Sequence, residues 1–128
     1  LFLLARPALA ERWVKIPTTA ANVEFTIEMD QIERNGNVVK FREKLTFLQP
    51  EKLDPYSGTL IKEKKVVRLI NRQNRTQGVK SGGVFDPKGK LIEWVMVEDN
   101  QIEWFAVPPG TVAEREFKLV CNGTASGR

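Results

Sequence analysis

From Asn22 to Met29 the chain alternates without a break: Val23, Phe25, Ile27 and Met29 against Asn22, Glu24, Thr26 and Glu28. A period of two is the mark of a half-buried strand, because successive side chains leave opposite faces. Just before it, RWVKIP is a short apolar strand stopped by Pro17. Just after it, Asn35-Gly36 is a strong hairpin signal. The return strand places Val39, Phe41, Leu45 and Phe47 on its odd face, against Lys40, Arg42 and Lys44. A tight turn at Asn35-Gly36 sets Ile32 opposite Val39, but it also sets Ile27 opposite Lys44. A bulge or short helical turn near Asp30-Gln31 is therefore predicted to reset the register.

The next stretch, PEKLDPYSGT, is rich in loop formers. It leads into LIKEKKVVRLINRQNRTQGVK, which predicts one long strand or two short ones. In FDPKGK, Asp86, Pro87 and Gly89 sit where a type I turn takes them. KLIEWVMV and QIEWFAV then flank Glu98, Asp99 and Asn100. A three-residue loop there predicts a hairpin with Trp94 across from Trp104 and Met96 across from Ile102, giving one wholly apolar face. The final element is a helix over 111–121. Thr111 is its N-cap, with Glu114 completing a capping box and Gly123 marking the stop. Ala113, Phe117, Val120 and Cys121 form its apolar stripe. Together these elements predict an α+β fold: an antiparallel sheet of about six strands, with the C-terminal helix packed on its apolar face.

Composition narrows the chemistry. The 128 residues, 41% hydrophobic and 28% charged, suit one domain able to bury a core without staples. With no histidine and one cysteine, the chain lacks the usual neutral-pH base, the commonest metal ligand and any internal disulfide. No nucleophile–base set can be assembled, and Glu93 and Glu103 are not adjacent in the expected register. The expectation is a non-enzyme without metal or cofactor. The opening LFLLARPALA matches the end of a signal peptide, with Ala8-Leu9-Ala10 before a cleavage point at Glu11. Residues 1–10 are thus expected to be a signal-peptide remnant, 11–121 a single domain and 122–128 a flexible tail. The apolar run is too short to span a bilayer, so a periplasmic, secreted or cell-surface location is expected.

The net charge of +4 is concentrated between Lys62 and Lys80, where Lys62, Lys64, Lys65, Arg68, Arg72, Arg75 and Lys80 stand against Glu63 alone. In an extended strand Lys62, Lys64, Arg68 and Arg72 share one side, with Val67 and Leu69 on the other. This predicts a basic stripe on the outer face of the sheet. Lys62, Lys64, Arg68, Arg72 and Arg75 are then the candidate binding residues for an acidic macromolecule or protein surface. An exported protein is not expected to take nucleic acid. The bland alternative is a solvated face whose lysines discourage edge-to-edge pairing. Trp94 and Trp104 share their predicted face with Ile92, Met96, Ile102 and Ala106, a core composition rather than a stacking platform. Trp13 is open to either face. Cys121 is expected to be a small buried hydrophobe rather than a reactive thiol.

The chain also resembles the surface-adhesin E-like family of small exported bacterial domains. The resemblance rests on the early RWVKI, on MDQIERNGNVVKF and FDPKGKLIEW, and on the ending WFAVPPGTVAEREFKLVC. It implies an antiparallel sheet with a C-terminal helix on one face, an exported location and no catalytic residues. The family takes its name from an adhesin that binds host matrix proteins. Members commonly tie the helix cysteine to a second one on a middle strand. Here Cys121 matches the first, while Asn71 stands near the second position, so packing alone is expected to hold the helix. The function expected is a non-catalytic binding domain of the cell envelope or surface. The alternative is a periplasmic structural or assembly component that self-associates through a sheet edge, for example as a homodimer.

Overall fold

The computed structural model of the chain describes residues 12–126, with side chains through Asn122; the expected signal-peptide remnant lies outside them. Its strands are β1 (Trp13–Ile16), β2 (Val23–Asn35), β3 (Val38–Lys52), β4 (Leu60–Asn71), β5 (Thr76–Phe85), β6 (Leu91–Met96) and β7 (Phe105–Ala106), followed by α1 (Val112–Ser126). Strands β1 to β6 pair in chain order, each antiparallel to the next, and β7 joins β5 beside Thr76 and Gln77. The six-strand antiparallel sheet with a C-terminal helix is the α+β architecture that the alternation and the capping box predict.

The β2–β3 hairpin shows what the pattern could and could not set. Its register does shift in the predicted place, between Glu28, opposite Arg42, and Glu33, opposite Lys40. The turn itself is one residue later than expected. Asn35 pairs with Val38, and Gly36 (φ 62°) takes the first loop position, where a positive φ favours glycine. Arg34 rather than Ile32 therefore faces Val39. The buried Glu28 organises the bulge, its Oε1 accepting from the backbone N–H of Arg12 (3.0 Å) and of Asp30 (2.9 Å).

Helix α1 lies over β1, β2 and β3. The core beneath it consists of Ile16, Ile27, Val39, Phe41, Ile70, Val107, Phe117 and Val120, with Ala113 and Cys121 packed at its margin. The capping box forms, with a changed partner. Thr111 Oγ1 accepts from the Glu114 N–H at 3.2 Å, while Glu114 Oε1 accepts from Gly110 N–H at 3.0 Å. Gly123 does not end the helix, which runs to Ser126; one glycine in a helix costs only about 1 kcal/mol.

The expected tryptophan hairpin does not form. Strands β6 and β7 do not pair with each other; both lie against β5, end to end, joined through a 3-10 turn at Asp99–Gln101. Trp94 and Trp104 are 48% and 39% exposed and lie outside the core. Each rests over a glycine of β5. A Cβ on Gly83 would come 2.5 Å from the Trp94 ring, and one on Gly78 would come 2.6 Å from Ile102 and 2.9 Å from the Glu103 carbonyl oxygen. Flat backbone without side chains lets an apolar segment settle on a strand it does not extend. The indoles therefore cover the face away from α1, and the helix is held by Phe41, Ile27 and Ile70 instead.

Candidate functional site

The even residues of β4 do share one face, as their parity requires, but Ile70 is among them and points into the helix-covered core. The predicted stripe consequently lies on the helix face, not the outer one. Val67 and Leu69 misled the parity argument because the opposite face also has cover: Leu69, 9% exposed, lies with Ile102 and Trp104 around one cavity. The structure then divides the five candidate residues. Lys62 Nζ donates to the Leu48 carbonyl oxygen at 2.9 Å, and Lys64 Nζ stands 5.9 Å from the Phe47 ring centre. Arg68 is withdrawn into an ion cluster. Arg72 and Arg75 close the far end of the strand.

That cluster joins helix to sheet. Arg68 Nη2 meets Glu43 Oε1 at 2.8 Å, and its Nε stands 3.9 Å from Glu116 Oε1. Glu43 and Glu116 are each 2% exposed. Burial, followed by the hydrogen bond to Glu43 and the charge of that carboxylate, pushes Glu116 up to about 10, with Arg68 opposing. At neutral pH Glu116 is a neutral acid, so the two carboxyl groups share one negative charge facing one guanidinium. Charges out of water are tolerated only in such matched sets. Glu43 could have been found in the sequence, since it lies in phase with Val39 and Phe41 on an otherwise apolar face. Glu116 likewise sits one turn from Ala113 and Val120 on the helix stripe.

The second cluster is at the hairpin end. Arg72 Nη2 donates to the Gly36 carbonyl oxygen (3.2 Å), and Asn37 Nδ2 to Gln73 Oε1 (3.0 Å), tying the β2–β3 and β4–β5 turns together. Arg34 Nη2 donates to the carbonyl oxygen of Cys121 at 3.3 Å. Arg75, at φ 54°, spans Glu114 (3.6 Å) and the Phe117 ring (4.6 Å). Lys118 also reaches Glu114, at 3.9 Å. The Gly110 N–H first, then Lys118, Arg75 and Arg115, hold the Glu114 carboxyl below its ordinary range. Burial pushes the Cys121 thiol up, against Arg72, Arg34 and Arg75, so the cysteine is half-buried and unactivated. Arg75, Arg115 and Lys118 thus gather around Glu114, and Arg34, Arg72 and Arg75 around Cys121 further along the helix. The sequence reading missed Arg34, Arg115 and Lys118 because they come from β2 and α1, distant along the chain.

A search of curated proteins finds no match. The surface-adhesin protein E family model matches residues 13–122. Among solved structures, protein E of Haemophilus influenzae superposes with a TM-score of 0.64 at 12% identity, covering 96% of this chain and 94% of that one. A second crystal form of that protein gives 0.63 at 11% identity, covering 98% and 99%. Protein E from non-typeable H. influenzae gives 0.61 at 11%, covering 96% and 84%. At such identity the likeness speaks for the fold alone.

Proposed function

This chain belongs to the surface-adhesin protein E family, and from that premise we propose that it is an exported, non-catalytic binding domain of the cell envelope or surface that contacts acidic macromolecules. The observation that carries the binding reading is the hairpin-end cluster, where Arg75, Arg115 and Lys118 lie around Glu114 and Arg34, Arg72 and Arg75 lie near Cys121 on the same helix. Such a concentration of one sign steers and holds a polyanion in a salt-dependent way. Of the residues expected from the sequence, Arg72 and Arg75 belong to this contact. Lys62 and Lys64 flank it further along β4, and Arg68 acts within the fold. Family membership supports a host surface molecule as the acidic partner. Among the described residues no helix is long and apolar enough to cross a membrane.

The test is retention on immobilised heparin. Arg115→Glu/Lys118→Glu, on the exposed side of α1, is expected to elute at markedly lower salt, and Lys62→Glu/Lys64→Glu to shift less. Equal retention of all forms would remove the hairpin end from the contact.

A second reading, a structural component that self-associates through a sheet edge, is favoured by β6. This edge strand exposes Leu91 (47%), Trp94 (48%), Val95 (54%) and Met96 (66%), the kind of edge that recruits another strand.

A further inference from the structure

We infer that the sheet face away from α1 is a second binding site, separate from the hairpin-end contact, and that it takes an oligosaccharide with spaced carboxylates, of the uronate class. Strand register sets Lys15, Thr26, Lys44, Lys65, Gly83 and Trp94 side by side, one from each strand from β1 to β6. Parity turns this row away from the core, because Ile16, Ile27, Phe41 and Ile70 point to the helix side. Five strand spacings make the row about 24 Å long. A chain of sugars matches that length, and a single ring does not.

Lys44 and Lys65 are direct partners across β3 and β4, and like charges so placed repel. The carboxylates of this face do not cancel both. Glu24 pairs with Lys15 at 3.2 Å, Glu28 with Arg42 at 3.7 Å and Glu63 with Lys65 at 3.7 Å. Among the described residues, Lys44 is left with no carboxylate at ion-pair distance. Its Nζ is held instead 4.2 Å from the centre of the Trp13 ring, and Lys65 Nζ lies 5.0 Å from that of Phe85. Two ammonium groups steadied by rings and short of one negative charge make a seat for a carboxylate. At the β6 end the Trp94 ring lies on Gly83, where an added Cβ would come 2.5 Å from it. The indole is thus braced from beneath and 48% exposed, a platform for the apolar side of a sugar ring. From Lys65 to Trp94 is two strand spacings, about 10 Å, so the bound carboxylate and the stacked ring belong to different sugars. Glu24 and Glu63 beside the row can accept from sugar hydroxyls, and they repel a polymer charged at every unit, such as a nucleic acid. Carboxylates spaced by hydroxyl-bearing rings satisfy the whole row.

Titration calorimetry of the chain with a hexasaccharide of alternating uronic acid and N-acetylhexosamine tests this. Saturable binding is expected, with maltohexaose, which has no carboxylate, bound at least about tenfold more weakly. Lys44→Gln and Lys65→Gln should each raise the Kd about tenfold, as loss of one charge-assisted hydrogen bond does. Trp94→Leu should also raise it while keeping the circular-dichroism spectrum. Arg115→Glu/Lys118→Glu should leave this Kd unchanged while lowering heparin retention. No binding, or a Kd that the lysine and tryptophan variants do not move, would overturn this site and leave the hairpin-end contact to its own test. Equal binding of maltohexaose would overturn the carboxylate seat, and tighter binding of an oligothymidylate would overturn the oligosaccharide in favour of nucleic acid.

Discussion

The two halves of the sheet are similarly apolar in sequence and differ in what covers them. Under α1, Ile27, Val39 and Val120 are 0% exposed. Over β5 and β6 the helix does not reach, and a groove of about 500 Å³ is left open among Arg68, Gln77, Val79, Gly82, Val95 and Phe105. There Phe105 is 59% and Met96 66% exposed. Apolar character therefore marks what could be buried, while the placement of one helix decides what is. The covered half carries the stability of the fold; the uncovered half leaves apolar surface in solvent.

The sharpest way to break that contrast is to truncate one phenylalanine from each half. Phe117→Ala is expected to cost about 3–5 kcal/mol in urea unfolding, and Phe105→Ala about 0.5 kcal/mol or less, since little of its surface leaves water. Comparable costs would mean that the halves are equally packed. Next in size, Arg68→Ala leaves Glu43 buried and unmatched, at a cost of about 3 kcal/mol. A loss of only a few tenths in chemical denaturation would mean that the cluster is wetter than its geometry implies.

The glycines of β5 grade the uncovered half itself. Gly78→Ala drives a Cβ against the Glu103 backbone, which cannot yield without moving the segment, so about 1–3 kcal/mol is expected. Gly83→Ala meets only side chains, those of the half-exposed Trp94 and of Leu91, and should cost less. Thermal unfolding of the pair would decide, and the reverse order would mean that Trp94 is the firmer of the two contacts.

A different kind of effect is a slope. Glu116 holds its proton up to about 10 in the folded chain and releases it near the ordinary carboxylate range when unfolded. Between those limits the folded state binds the extra proton, so this group's contribution is greatest in acid and declines as pH rises. Glu116→Gln, which stays neutral and can still donate to Glu43, should flatten that decline between about pH 5 and 9. Asp99, held low first by its hydrogen bond with Lys80 and then by the lysine's charge, and Glu114 act in the opposite sense and only in more acid solution. An unchanged slope in pH-dependent urea midpoints would place the titration elsewhere.

What could be read in advance followed from local chemistry. Period-two alternation makes strands, Thr111 with Glu114 starts a helix, and the mismatch of odd and even residues around Asp30 demands a bulge. Each of these needs only neighbours in the chain. The β6–β7 hairpin went wrong because like residues across a short loop can pair with each other or lie separately against a third strand. Only the free flank of β5, with Gly78 and Gly83 flat beneath it, settled the matter. The basic stripe failed for a related reason, since parity says which residues share a face and not which face a helix will cover. Arg34, Arg115 and Lys118 entered the candidate site only through contacts between elements distant in sequence. The sequence by itself thus determined the elements, their order and the charge available. Tertiary structure decided which apolar face became core, which arginine was buried between two carboxyl groups and which edge stayed open, because these depend on cover supplied from elsewhere in the chain.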